Sequence, residues 1–154
     1  MSVIEVAGLS KRYGPVVGIE DVSFSVSAGE VFGFLGPNGA GKTTVIRLLM
    51  QLLRPDRGRL AIFGVSLATP RVALRERIGY LPGDFRPYAE MTGAQFLAYM
   101  ARYRPRPPVL RAELCERLRF TPREAGRPIK HLSHGNRQKV GLLLALEHDP
   151  ELAI

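Results

Sequence analysis

Residues 33–44 read Gly-Phe-Leu-Gly-Pro-Asn-Gly-Ala-Gly-Lys-Thr-Thr. Gly36, Gly41, Lys42 and Thr43 meet the pattern G-x-x-x-x-G-K-[ST]. The preceding run, Val31 to Leu35, is short, apolar and bounded by glycines, which predicts a strand buried on both faces. Downstream, Thr43 to Leu53 carries apolar side chains at Val45, Ile46, Leu48, Leu49, Leu52 and Leu53, the spacing of a helix with a wide buried face. Strand, glycine-rich turn and helix together make a cradle for the phosphates of a nucleotide. Gly36, Gly39 and Gly41 are expected to adopt φ > 0 and to let backbone N–H groups approach the anion. The helix starting near Gly41 turns its positive end and unpaired amides toward the same place. Lys42 reaches the β- and γ-phosphates in such a loop, and the Thr43 hydroxyl ligates Mg²⁺.

The bulk properties narrow the class. A chain of 154 residues is one domain by length and buries about two-thirds of its unfolded surface. No apolar run approaches the roughly 20 residues that span a bilayer. The start, Met-Ser-Val-Ile-Glu-Val, has no basic segment followed by an apolar one, so no signal peptide is read there and a cytoplasmic location is expected. The single Cys115 forms no internal disulfide and reads as an unreactive helix residue. His131, His134 and His148 lack metal-ligand spacing and are expected to be solvated or at helix ends. The net charge of +8 rests on 18 arginines and 4 lysines spread along the chain. No aromatic-and-basic stacking motif accompanies it, so nucleic acid is not the expected partner; anionic lipid head groups explain the charge equally well.

Along the chain, Val3 to Val6 and Val22 to Val26 alternate as strands, and Arg59 to Phe63 reads as another. Val72 to Arg77 predicts a short helix, and Ile78 to Leu81 a buried strand stopped by Pro82. From residue 85 short helices follow. Thr92 with Gln95 forms a capping box opening 94–101. Pro residues at 105, 107 and 108 precede a helix over 109–120. Thr121-Pro122 with Glu124 predicts a further helix start. Ser133 is placed as the N-cap of an apolar helix running from Gly135 to about Glu147. Glu151 to Ile154 begins something strand-like.

Three stretches in order resemble the ATP-binding subunits of ABC transporters: the phosphate loop, Ile78-Gly-Tyr-Leu-Pro82, and Leu132-Ser-His-Gly-Asn-Arg-Gln138. The last is similar to the family's LSGGQ signature. The N-terminal Leu9-Ser-Lys-Arg-Tyr-Gly14 is similar to the family's first strand and turn. The resemblance implies an α/β P-loop NTPase fold: a RecA-like core, an N-terminal antiparallel β subdomain and an inserted helical subdomain. On that plan residues 1–84 are β subdomain and phosphate-loop core, 85–134 the helical subdomain, and 135–154 the signature helix with the start of the next strand.

By the same resemblance Tyr13 stacks on adenine, as its flat ring suits, and Gly36, Pro37, Asn38, Gly39, Ala40, Gly41, Lys42, Thr43 and Thr44 hold the phosphates of Mg·ATP. Ser133, Gly135 and Asn136 contact ATP bound to a second subunit. Where the family has a glutamine or glutamate after Leu-Pro, this chain has Gly83-Asp84. Asp84 then either supplies an oxygen to the metal beside Thr43 or is a solvated loop carboxylate. Lys42 is the one candidate catalytic residue. The family's metal-binding aspartate, water-activating glutamate and γ-phosphate histidine lie beyond Ile154.

The chain is therefore expected to be truncated and to bind ATP without hydrolysing it alone. The family's partners are a second ATP-binding subunit and an integral membrane subunit, which places the protein at the inner face of the cell membrane, and export is the favoured direction. Alternatives are a non-catalytic fragment of a broken gene and a soluble ABC ATPase outside transport. In the family's core a further strand neighbours Val31 to Leu35, so the isolated chain is expected to leave backbone groups unpaired there and to aggregate.

Overall fold

The computed structural model describes residues 2–68 and 72–154. It resolves into two compact units, Met1–Arg71 and Val72–Ile154.

The first unit is an antiparallel sheet with one helix. Strands β1 (Ser2–Tyr13), β2 (Val16–Ser27), β3 (Arg57–Ile62) and β4 (Val65–Ser66) stand in the order β2-β1-β3-β4. Both N-terminal strands are far longer than the alternation alone indicated. The reason is a register shift between Val6 and Leu9 that resets the pleat, so Ile4, Val6 and Leu9 are all buried although their spacing is not a strict two. Helix α1 (Lys42–Leu49) turns Val45, Leu48 and Leu49 inward and packs on β2. It ends four residues before the expected Leu53. Gln51 takes φ 54°, a left-handed conformation no helix continues through, and Leu52 is left exposed.

Val31 to Leu35 departs from expectation. It is extended but forms no ladder with any described residue, and Val31 and Leu35 are almost wholly exposed (100% and 92%). A lone strand does not satisfy its own backbone, so water does it instead. The alternation survives without a ladder. Phe32 and Phe34 lie over Phe24 of β2, with ring centroids 5.3 and 5.4 Å away, while Val31 and Leu35 face the other side.

The second unit is mostly helical. Helices α2 (Val72–Arg75), α3 (Gly93–Ala101), α4 (Arg111–Arg117), α5 (Pro122–Ala125) and α6 (His134–Leu146) accompany a two-stranded parallel pair, β5 (Ile78–Gly79) and β6 (Leu152–Ala153). The capping box at Thr92 forms as read, the helix start at Thr121 proves to be a second one, and Ser133 caps α6. The core joins Phe96 and Leu97 of α3 with Phe120, Ile129, Leu132, and Val140 and Leu143 of α6. At Gly141 a Cβ would stand 2.6 Å from a Leu81 methyl and 3.0 Å from the Phe85 ring, so only glycine lets segment 81–85 lie on α6. Arg77 and Glu151 clamp the start of the parallel pair with two hydrogen bonds of 2.7 Å.

The polar end of α6 is the least expected part of this unit. Glu147 is 1% exposed and its Oε2 pairs with Arg111 Nε at 2.8 Å; Arg111 also donates to the Leu97 carbonyl. His148 is buried, not solvated as its position at a helix end suggested. Arg104 donates to its Nδ1, and the ring also hydrogen-bonds the Ile78 backbone, so one imidazole ties three segments together. Burial, then the Arg104 charge, hold the His148 pKa below the ordinary 6.5. Cys115 is half-buried in α4 and burial raises its pKa, which keeps the thiol protonated and unreactive.

Two predictions follow from these features. A histidine with a depressed folded pKa stabilises the fold fully above 6.5. Below that value the unfolded chain takes up a proton that the native ring refuses. Stability should therefore fall as pH drops from about 7.5 to about 5.5, and thermal melts of His148→Gln should show a shallower pH dependence than wild type. Separately, Val31 and Leu35 form an apolar exposed edge that promotes association. Val31→Lys with Leu35→Lys should lower light scattering at equal concentration, and unchanged scattering would clear this segment.

Candidate functional site

The phosphate-loop pattern folds as a loop against the first residues of β2, with Gly41 on Gly18 and Ile19. Gly39 and Gly41 take φ 85° and 84°, as anticipated; Gly36 does not take positive φ. Its glycine serves close approach, since a Cβ there would sit 3.3 Å from the Ala40 methyl. At Gly41 a Cβ would be 2.2 Å from Ile19 Cγ2 and 2.5 Å from the Gly18 carbonyl oxygen. Conformation and contact both demand glycine at 41.

Gly41 is the N-cap of α1, and no side chain caps that end. The first helical hydrogen bond runs from Val45 N–H to the Gly41 carbonyl. The amides of Lys42, Thr43 and Thr44 therefore lie ahead of the helical ladder, at the positive end of the helix. Lys42 folds back over the loop, its Nζ donating to the carbonyls of Gly36 (2.5 Å) and Pro37 (2.7 Å). The loop thus encloses a fixed cation beside a row of amide donors, which is the donor set a polyphosphate takes.

A recess beside the loop is lined by Val16, Val17, Gly18, Asn38, Gly39, Gly41, Lys42, Thr43 and Thr44. Tyr13, at the end of β1, reaches this place: its hydroxyl lies 3.3 Å from Thr44 Oγ1 and the residue is 43% exposed. Sequence reading found Tyr13 and the loop but passed over Val16, Val17 and Gly18. The signal was present, two exposed valines and a glycine just after a hairpin turn, but a strand reading absorbed it. Gly18 sits under the tyrosine; a Cβ there would come within 2.7 Å of the ring.

The remaining candidates lie in the second unit. Ser133 Oγ accepts from the Asn136 amide at 3.2 Å, and Gly135 is exposed with nothing near its missing side chain. The Asn136 side chain is not open; it donates to Glu124 Oε1 at 2.8 Å. Asp84 is exposed on the rim of an apolar groove with Tyr80, Leu81, Phe85, Phe96 and Leu144. Among the described residues no group of three metal-ligating side chains gathers anywhere. None of their helices is long and apolar enough to cross a membrane.

The Gly18 contact is directly testable. Gly18→Ala should push the Tyr13 ring from its seat and weaken binding of a fluorescent ATP analogue several-fold, as Tyr13→Ala should, about 1 kcal/mol for one lost stacking contact. The double variant should bind no worse than either single one. Additive losses would mean that the glycine acts apart from the ring.

Comparison with known proteins bears on the same residues. The family model described as "ABC transporter" matches residues 19–154. The Nod factor export ATP-binding protein I of Ralstonia nicotianae is 34% identical over 99% of this chain and 48% of its own length. The daunorubicin resistance ATP-binding protein DrrA3 of Streptomyces coeruleorubidus is 38% identical over 98% and 49%. An Fe(3+) ions import ATP-binding protein of Rhodococcus jostii is 33% identical over 98% and 44%. A solved structure described as the ATP-binding subunit of an ABC transporter is 31% identical, superposes with a TM-score of 0.84, and is covered to 64% by 98% of this chain. The chain spans about half the length of the curated relatives it matches.

Proposed function

The chain belongs to the ABC transporter family, and from that premise we propose that it is the nucleotide-binding part of a subunit that couples ATP binding and hydrolysis to transport across a membrane. The observation that carries the proposal is the loop at the start of α1, where two left-handed glycines, a free row of helix amides and the Lys42 ammonium converge. Tyr13 stands at the rim to receive the adenine, and Val16 and Val17 give that side of the recess an apolar floor.

ATP fits this chemistry. Its phosphates meet the amides of Lys42 to Thr44 and the lysine; its base meets an aromatic ring and two valines. Mg²⁺ bound with the nucleotide supplies charge neutralisation of the phosphates. Thr43, in the first turn of α1 and lining the recess, is the residue of this chain that would hold it. Lys42 has to leave the Gly36 and Pro37 carbonyls to reach a phosphate, so binding exchanges two neutral acceptors for charged ones.

The signature segment supports a second proposal, on partners. Ser133, Gly135 and Asn136 open α6 with exposed small residues and helix amides, which suits the phosphates of ATP held by a second ATP-binding subunit. A membrane-embedded partner and a place at the inner face of the cell membrane complete the reading. Export is the favoured direction on the names of two relatives, with an import protein among the matches as its counterweight.

The expected outcome is specific. The chain should bind Mg·ATP, and Lys42→Ala should remove most of that binding in a titration with a fluorescent analogue. Among the described residues no carboxylate or histidine lines the recess, so phosphate release should not exceed that of the Lys42→Ala control. Equal affinity of the two proteins would defeat the assignment of the loop, and turnover lost in the control would reveal a base elsewhere in the chain.

A further inference from the structure

Two helices of the second unit begin with the same device, and the difference between them is informative. In α3 the Thr92 hydroxyl accepts from Gln95 N–H (3.1 Å) and the Gln95 side-chain oxygen accepts from Thr92 N–H (2.9 Å). In α5 Thr121 Oγ1 accepts from Glu124 N–H (3.3 Å) and Glu124 Oε2 accepts from Thr121 N–H (2.8 Å). One oxygen is enough for the box, as Gln95 demonstrates. The carboxylate at 124 has a second oxygen, and that oxygen is engaged: Oε1 accepts from Asn136 Nδ2 at 2.8 Å.

Asn136 lies in the first turn of α6, and its own amide is already bonded to the N-cap hydroxyl of Ser133. Its backbone is therefore held from within α6 and its side chain from α5. We propose that Glu124 is a positioning residue, whose second carboxylate oxygen acts as a strut that fixes Asn136 and with it the first turn of α6. The inference rests on the reading that this turn meets the nucleotide of a second subunit. It also reassigns Asn136: with its amide committed to Glu124, contact to phosphate falls to Ser133 and the backbone at Gly135.

A carboxylate is required because a glutamine has one oxygen and one NH₂ group. Glutamine can close the capping box but would then oppose the Asn136 NH₂ with a second donor. The Thr121 amide, Asn136 and the Thr121 hydroxyl, in that order, hold the Glu124 pKa below its ordinary value, so the acceptor stays ionised at neutral pH.

Glu124→Gln in the full chain separates strut from cap. Circular dichroism should find the helical signal retained and the thermal midpoint lowered by only a few degrees, since the box persists. Hydrogen exchange at the Asn136 backbone amide, followed by NMR, should quicken about fivefold, the loss of one ordinary hydrogen bond. The swap Glu124→Gln with Asn136→Asp reverses donor and acceptor and should restore slow exchange. Unchanged exchange in Glu124→Gln, or no restoration in the swap, overturns the proposal.

Sedimentation with ATP adds the functional arm. Ser133→Ala should abolish ATP-driven pairing of two copies, and Glu124→Gln should weaken it several-fold. Loss in Ser133→Ala with none in Glu124→Gln defeats the positioning role while the nucleotide reading stands. If neither variant alters pairing, the nucleotide reading fails, and the exchange measurements alone uphold or overturn the strut.

Discussion

The contact between Gly41 and the start of β2 governs the first unit. The loop can close only because nothing projects from Gly41 into Ile19 and the Gly18 carbonyl. That approach fixes where α1 begins, and so where its amides point and which of its faces meets the sheet. Val45, Leu48 and Leu49 are buried as a result of the same placement. The phosphate-binding geometry and the packing of the unit are thus one constraint seen twice. A side chain at 41 would lose both together, because the loop could not be displaced without lifting the helix.

In the second unit α6 has the corresponding role, with a different division of labour along its length. Its middle is apolar and carries the core through Val140 and Leu143. The two residues just past its last turn are polar yet buried, Glu147 paired with Arg111 and His148 accepting from Arg104. Its first turn is exposed and tied to α5. Buried ionic groups add little net stability, but removing one partner strands the other. The Glu147 and His148 contacts therefore specify which loops may lie against the helix end: the segment leading into α4 on one side and β5 on the other.

Local chemistry was the part of this molecule most legible in the sequence. The capping box at Thr92, the helix start at Thr121, the N-cap at Ser133 and the left-handed glycines at 39 and 41 all depend on residues within a few positions of one another, and all formed as read. What escaped depends on distant neighbours. Val31 to Leu35 has the composition of a buried strand, but composition cannot supply the adjacent strand a ladder needs, and among the described residues none lies beside it. His148 looked like a helix-end residue because nothing nearby in sequence announces Arg104. Gly18 looked like a strand residue because its function, making room for the Tyr13 ring, is visible only once the hairpin is folded. Gly36 was read for positive φ and for close approach, and it lacks the first: a Cβ there would crowd only the Ala40 methyl.

The bonds from Lys42 to its own loop bear on how any polyphosphate is held there. The ammonium is already solvated by protein, so an arriving polyphosphate does not meet a bare charge; it competes for one. The measured affinity is then a difference between two coordination sets, carbonyl oxygens against phosphate oxygens, and not the full strength of either. Two consequences follow. Substitutions at positions 36 and 37 that move those carbonyls would tune affinity without touching the ligand. A nucleotide lacking its outermost phosphate would forgo that contact but leave the lysine its carbonyls, so its affinity would fall by less than the contact alone suggests.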